Sequence, residues 1–123
     1  MAKSVLVIED FPATLSMFKQ IIETAGYEFQ GVETGEKALE VLARKKFDLI
    51  LLDIMLPRVD GFEVARRART SRFNRATPII ALTAFDVADI TNRCRAAGIN
   101  DVFLKPFEVD NLIDVINKHL MAP

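Results

Sequence analysis

The chain has 123 residues, 50% hydrophobic and 27% charged, enough for one compact domain with its own core and too few for a second. A formal net charge of -1 and a pI near 5.8 exclude a global attraction to nucleic acid or to an anionic membrane, so a charged partner has to be read by a local patch. The single cysteine, Cys94, excludes an internal disulfide and has no metal-ligand spacing to the only histidine, His119, which suits a reducing cytoplasm.

The first element is a short strand, Ser4 to Ile8, too brief for a signal-peptide core, and no run approaches transmembrane length. It is continuously apolar, as a strand buried on both faces should be, and it ends on two acids, Glu9 and Asp10. Pro12 then fits the first turn of a helix whose apolar residues Leu15, Phe18, Ile22 and Ala25 recur at helical steps up to the stop at Gly26. Asp10 is expected to serve also as a cap for that helix.

Glu28 to Val32 reads as a weak strand, and Thr34 caps a second helix carrying Ala38, Leu39, Val41 and Leu42 on its apolar side. Phe47 to Asp53 is a second unbroken run, ending on Asp53. After a loop, Asp60-Gly61-Phe62-Glu63 resembles a capping box opening a third helix that fades near Thr70. Pro78 to Thr83 is a third buried-type run ending on a hydroxyl; Asp86 caps the next helix, which stops at Gly98. Val102-Phe103-Leu104 is the fifth strand, ends on Lys105-Pro106, and is followed by a helix bearing Val109, Leu112, Ile113, Ile116 and Leu120.

Strands alternating with helices in this way predict an α/β fold: a single doubly wound (βα)5 domain over residues 1–123. Its five-stranded parallel sheet has the flavodoxin-like order 2-1-3-4-5. Ligands of such sheets bind beyond the carboxyl ends of the strands, at the switch point between the first and third. Glu9, Asp10, Asp53, Thr83 and Lys105 all fall on that edge.

Three carboxylates gathered there repel one another unless a cation intervenes, and magnesium, with manganese as a substitute, suits an all-oxygen donor set. Asp10 and Asp53 are expected to bind it directly and Glu9 through water. A metal beside a carboxylate invites phosphoryl transfer, with Asp53 as nucleophile and Lys105 and Thr83 gripping the phosphoryl oxygens. Ala84 leaves room for the group.

These residues resemble the response-regulator receiver domain of two-component signalling, CheY-like in its single-domain form. The resemblance covers essentially the whole chain through Glu9-Asp10, Asp53 in Leu-Leu-Asp-Ile-Met-Leu-Pro, Gly61, Thr83-Ala84 and Lys105-Pro106-Phe107. It implies a phosphoprotein that takes its phosphoryl group on Asp53 from a histidine kinase or histidine phosphotransfer protein. It also implies magnesium on Asp10, Asp53 and the Met55 carbonyl, a cis bond before Pro106, and a switch in which Phe103 follows Thr83. Phe103 lacks the hydroxyl of the tyrosine often found there, so its two states would differ by packing.

With no effector segment after the last helix, the output is expected to be phosphoryl relay or contact with a downstream protein, without direct nucleic-acid binding or membrane insertion. Phe11, Pro12, Phe85 and Phe107 are candidates for an apolar docking patch, and Met55 and Phe85 for bulk that shields the aspartyl phosphate from water. Two alternatives stand beside this. A receiver-like adapter working without phosphorylation would be expected to lose one of the strand-end residues, all of which are kept. A magnesium-dependent aspartyl-phosphate phosphatase would need an acid two residues after its nucleophile, where this chain has Met55.

Taken singly, most of these residues have plainer readings: a strand-end acid as a turn residue, Thr83 as a cap, Lys105 as a solvated cation, Phe103 as core. The run Arg66, Arg67, Arg69, Arg72 and Arg75 reads as a solvated face rather than a phosphate-binding site, and Cys94 as a packed or partly exposed thiol. His119 lies where a helix C-terminus favours an imidazolium.

Overall fold

The structure is a computed structural model and describes residues 2–84 and 87–121. The elements run β1 (Ser4–Ile8), α1 (Pro12–Thr24), β2 (Glu28–Val32), α2 (Gly35–Leu42), β3 (Leu49–Asp53), α3 (Gly61–Arg69), β4 (Ile79–Thr83), α4 (Val87–Ala96), β5 (Asp101–Leu104) and α5 (Val109–Leu120). All strands are parallel and lie in the order β2-β1-β3-β4-β5, as the alternation of elements predicts.

The three unbroken apolar runs become the three central strands because helices cover both faces of the sheet. Alternate side chains go to opposite sides. Leu6, Ile8, Ile50, Leu52, Ile79 and Ala81 pack with residues of α2, α3 and α4, whereas Val5, Val7, Leu49, Leu51, Ile80 and Leu82 pack with Phe18, Ile22, Leu112 and Ile116 of α1 and α5. Each large apolar side chain so buried contributes roughly 2 kcal/mol. The outer strand β2 is only partly buried, which is why its sequence reads weakly.

Helix limits follow local chemistry. Thr34 accepts from the Lys37 amide at 3.1 Å and Asp60 from the Glu63 amide at 2.9 Å, so both side chains cap as expected. Gly26 and Gly98, beyond the ends of α1 and α4, have φ of 93° and 88°, a conformation that glycine reaches without strain. Asp10 does not cap α1: the N-cap residue is Phe11, which makes no side-chain capping bond, and Pro12 at the helix start removes one amide that would need a partner. The expected cap Asp86 lies outside the described residues.

The arginine run does not behave as one solvated face. Arg69 turns its guanidinium inward and donates to the carbonyls of Gly98, Asn74, Arg75 and Thr77 and to the Asn100 side chain. Its planar fork ties the end of α3 to the entries of β4 and β5. Fully buried Asn74 makes a second knot, accepting from the Phe47 amide and donating to the carbonyls of Leu42 and Lys45.

Among the described residues no helix is long and apolar enough to cross a membrane.

Candidate functional site

Parallel pairing fixes which residues meet at the carboxyl edge. Ile8 pairs with Leu52, Asp53 with Leu82 and Thr83 with Leu104, so Glu9, Asp53, Thr83 and Lys105 end up side by side on adjacent strands. The Lys105 amide continues the ladder by donating to the Thr83 carbonyl at 2.7 Å. The peptide bond from Lys105 to Pro106 is cis.

The two acids after β1 part company. Glu9 is 2% exposed while Asp10 faces solvent. Glu9 Oε2 accepts from the Phe11 amide at 3.4 Å, and its Oε1 takes the Lys105 ammonium at 2.9 Å. Lys105 Nζ also reaches Asp53 Oδ2 at 3.4 Å, so one cation bridges two buried carboxylates. The other Asp53 oxygen, Oδ1, accepts from the Met55 amide at 2.9 Å. Thr83 is 1% exposed at the neighbouring strand end, and Ala84 after it is exposed.

Electrostatics here follow from burial. Burial pushes the Glu9 carboxyl up from 4.5 to about 7; the Lys105 hydrogen bond pulls it down, and Asp53 adds to the rise by hydrogen bond and charge. Burial also works against the charge on Lys105, but the Glu9 hydrogen bond and the charges of Asp53 and Glu9 outweigh it, leaving the ammonium pKa raised.

Glu9, Asp10 and Asp53 each offer one carboxylate oxygen, all within 4.8 Å of one another. Hard oxygen donors, one of them solvent-facing, fit a divalent cation that keeps part of its water shell. The three carboxylates expected to bind magnesium are therefore brought together, with the Lys105 ammonium against two of them. The pairing of Lys105 with Glu9 is not legible in the sequence, because sharing the carboxyl edge does not fix which two side chains meet.

The loop from β3 to α3 is shaped by two glycines. A Cβ on Gly61 would lie 2.6 Å from Ile54 Cα and 2.8 Å from the Asp53 carbonyl oxygen, and one on Gly35 would lie 2.3 Å from the Val59 carbonyl oxygen. Both helix starts press against the loop that follows Asp53. Met55 within it is 57% exposed.

Of the proposed docking residues, Phe11 is 61% exposed and Pro12 is also on the surface. Phe107 is half-buried, its ring stacked on Phe18 at 5.8 Å and edge-on to Phe103, so it belongs in part to the core. Phe103 is likewise half-buried against that cluster. Phe85 lies outside the described residues. His119 bonds Asp101 at 2.6 Å, a contact that its helix position alone does not reveal. Cys94 is buried, which raises its thiol pKa by desolvation.

The sequence profile of the response regulator receiver domain matches residues 5–117. The polar-differentiation response regulator DivK of Brucella ovis is 36% identical over 120 residues, spanning 98% of this chain and 98% of DivK. Among solved structures, the receiver domain of the sensor histidine kinase PA1611 from Pseudomonas aeruginosa has a magnesium ion coordinated in its active-site cleft. It is similar at a TM-score of 0.90 and 30% identity, over 99% of this chain and 100% of that one. The chemotaxis protein CheY4 of Vibrio cholerae is similar at 0.91 and 26%, over 96% of this chain and 98% of that one. A profile match running nearly from end to end, on a sheet of the same order, puts the chain in the family: it belongs to the response regulator receiver domains of two-component signalling.

Proposed function

We propose that Asp53 is the phosphoacceptor, that a histidine kinase or histidine phosphotransfer protein is the donor, and that the reaction requires magnesium. The observation that carries this reading is the bridge at the strand ends: Lys105 Nζ holds Asp53 Oδ2 and Glu9 Oε1 while Asp10 completes the oxygen cluster. An Asp53 oxygen forms the new bond to phosphorus, and the donor imidazole leaves with the electron pair of the broken P–N bond. Lys105 then pairs with a phosphoryl oxygen and the Thr83 hydroxyl donates to another. Magnesium on Asp10, Asp53 and the Met55 carbonyl, with Glu9 through water, would neutralise charge on the transferred oxygens.

Recognition of the donor would use the exposed Phe11 and Pro12 at the start of α1. The signal would leave by protein contact through α4, β5 and α5, with Phe103 repacking as Thr83 turns to the phosphoryl group.

The test is incubation with magnesium and a small acyl-phosphate donor, followed by intact mass of the wild type and Asp53→Asn. One added phosphoryl group on the wild type and none on the variant is expected. An unmodified wild type overturns the reading and leaves a phosphorylation-independent adapter.

A further inference from the structure

We propose a second ligand site, at the sheet edge opposite Asp53: a cleft that binds a small organic polyphosphate of the nucleotide class. The cleft has a volume of about 540 Å³ and lies where the amino ends of β1, β3 and β4 meet the end of α5. That volume is within the range of small-molecule sites, about 300–1,000 Å³.

Its charge is one-sided. Lys3, Lys46, Arg72 and Arg75 line it, and none of the four makes an ion pair among the described residues. Asp48 is the only acid among the described lining residues, and its carboxylate is engaged by the Ser4 amide at 2.8 Å. His119, also in the lining, is engaged by Asp101. Four cations that line one cleft with no ion pair among the described residues, in a chain of net charge -1, are a local feature that the overall composition hides.

The walls are also held in place. Asn74 and Thr77 tie the loop before β3 to the loop before β4: Thr77 donates to the Phe47 carbonyl at 3.0 Å and to Asn74 Oδ1 at 3.1 Å. Arg69 clamps the Arg75 and Thr77 carbonyls from behind, and Arg72 lies over the Phe73 ring at 5.3 Å. Loops fixed in this way lose little freedom when a ligand arrives.

The chemistry of the lining selects the class. Cations call for phosphoryl groups, and the apolar surface of Phe73, Ala76 and Pro78 calls for an organic body that an inorganic ion lacks. The arginine run thus divides by role, Arg69 structural and Arg72 and Arg75 in the cleft.

The test is a heteronuclear NMR titration with ATP in magnesium-free buffer containing EDTA, which removes the metal that could draw phosphates to the Asp53 edge. Inorganic triphosphate is titrated in parallel. Saturable shifts at the amides around Lys46, Phe73 and Ala76 are expected, with ATP binding more tightly than triphosphate. A Lys46→Glu, Arg75→Glu double variant should bind ATP at least tenfold more weakly while still accepting phosphate on Asp53. If that variant fails to fold, Arg75→Gln replaces it, with an expected loss of at least threefold. The proposal is overturned by the absence of saturation, by shifts confined to the Asp53 edge, by equal affinity for ATP and triphosphate, by an unchanged affinity in the variant, or by an acidic peptide that binds the cleft more tightly than ATP.

Discussion

Lys105 Nζ stands 2.9 Å from Glu9 Oε1, although the two residues lie at opposite ends of the chain and on strands separated by two others. The ammonium is the one cation recorded against the buried carboxylates among the described residues, because Asp53 draws on the same lysine at 3.4 Å. Removing it leaves two adjacent acids with no counter-charge. Lys105→Met should therefore cost on the order of 2 kcal/mol at pH 8, less than for a fully buried pair because Lys105 is partly exposed. The deficit should shrink at pH 5, where Glu9 takes up a proton, and added magnesium should raise the Tm of the variant more than that of the wild type. Urea unfolding at the two pH values and thermal melts with and without the metal measure all three effects.

Glu9 also sets a pH dependence whose sign is fixed by the direction of its shift. Its folded pKa of about 7 lies above the ordinary 4.5, so between those values the folded state binds more protons than the unfolded one. The contribution is present in full below pH 4.5 and is lost as pH rises through 7. Its size is at most about 3 kcal/mol. Metal-free wild type should therefore lose stability between pH 5 and pH 8 relative to Glu9→Gln, which has no carboxyl to titrate. Magnesium affinity should run the other way, rising toward pH 8 because the cation displaces that proton. Parallel slopes for the two proteins in denaturant titrations would refute the assignment.

What the sequence discloses and what it hides have physical reasons. The runs through Val5–Ile8, Leu49–Asp53 and Ile79–Thr83 were readable because a strand covered on both faces admits few polar residues, and the strand order followed from the alternation of elements. The converging strand ends were readable for the same reason, since parallel strands share one edge. The unequal burial of Glu9 and Asp10 was not, because consecutive residues leaving a strand diverge while their types stay alike. Arg69 was hidden because four of its five acceptors are backbone carbonyls, which every sequence supplies. The commitment of Phe107 to the core depends on Phe18, a partner in a distant helix.

The Arg69 clamp yields a prediction confined to stability. Burial lowers the guanidinium pKa, yet the group stays charged and satisfies carbonyls from two connecting segments, α3 to β4 and α4 to β5. Lysine offers one compact ammonium in place of the fork and leaves most of those acceptors without it. Arg69→Lys should cost about 2 kcal/mol in urea unfolding, from lost charged hydrogen bonds. Phosphorylation of Asp53 below the unfolding transition should be unchanged, because the clamp grips the opposite edge of the sheet.

Gly61 is the converse case, where a small change reaches the site itself. Its φ is outside the left-handed region, so the constraint is space rather than backbone conformation. An alanine Cβ would press on Ile54 Cα at 2.6 Å and on the Asp53 carbonyl at 2.8 Å, both backbone atoms with no rotamer to yield. Relief has to come from moving the start of α3 away from the end of β3, breaking the bond from the Gly61 amide to the Ile54 carbonyl at 3.1 Å. Such overpacking costs about 1–3 kcal/mol. Because the displaced loop carries Met55, whose amide orients Asp53 Oδ1, Gly61→Ala should also slow acyl-phosphate labelling of Asp53, whereas Arg69→Lys of similar stability should not. Equal labelling rates for the two variants would show that the loop does not position the acceptor.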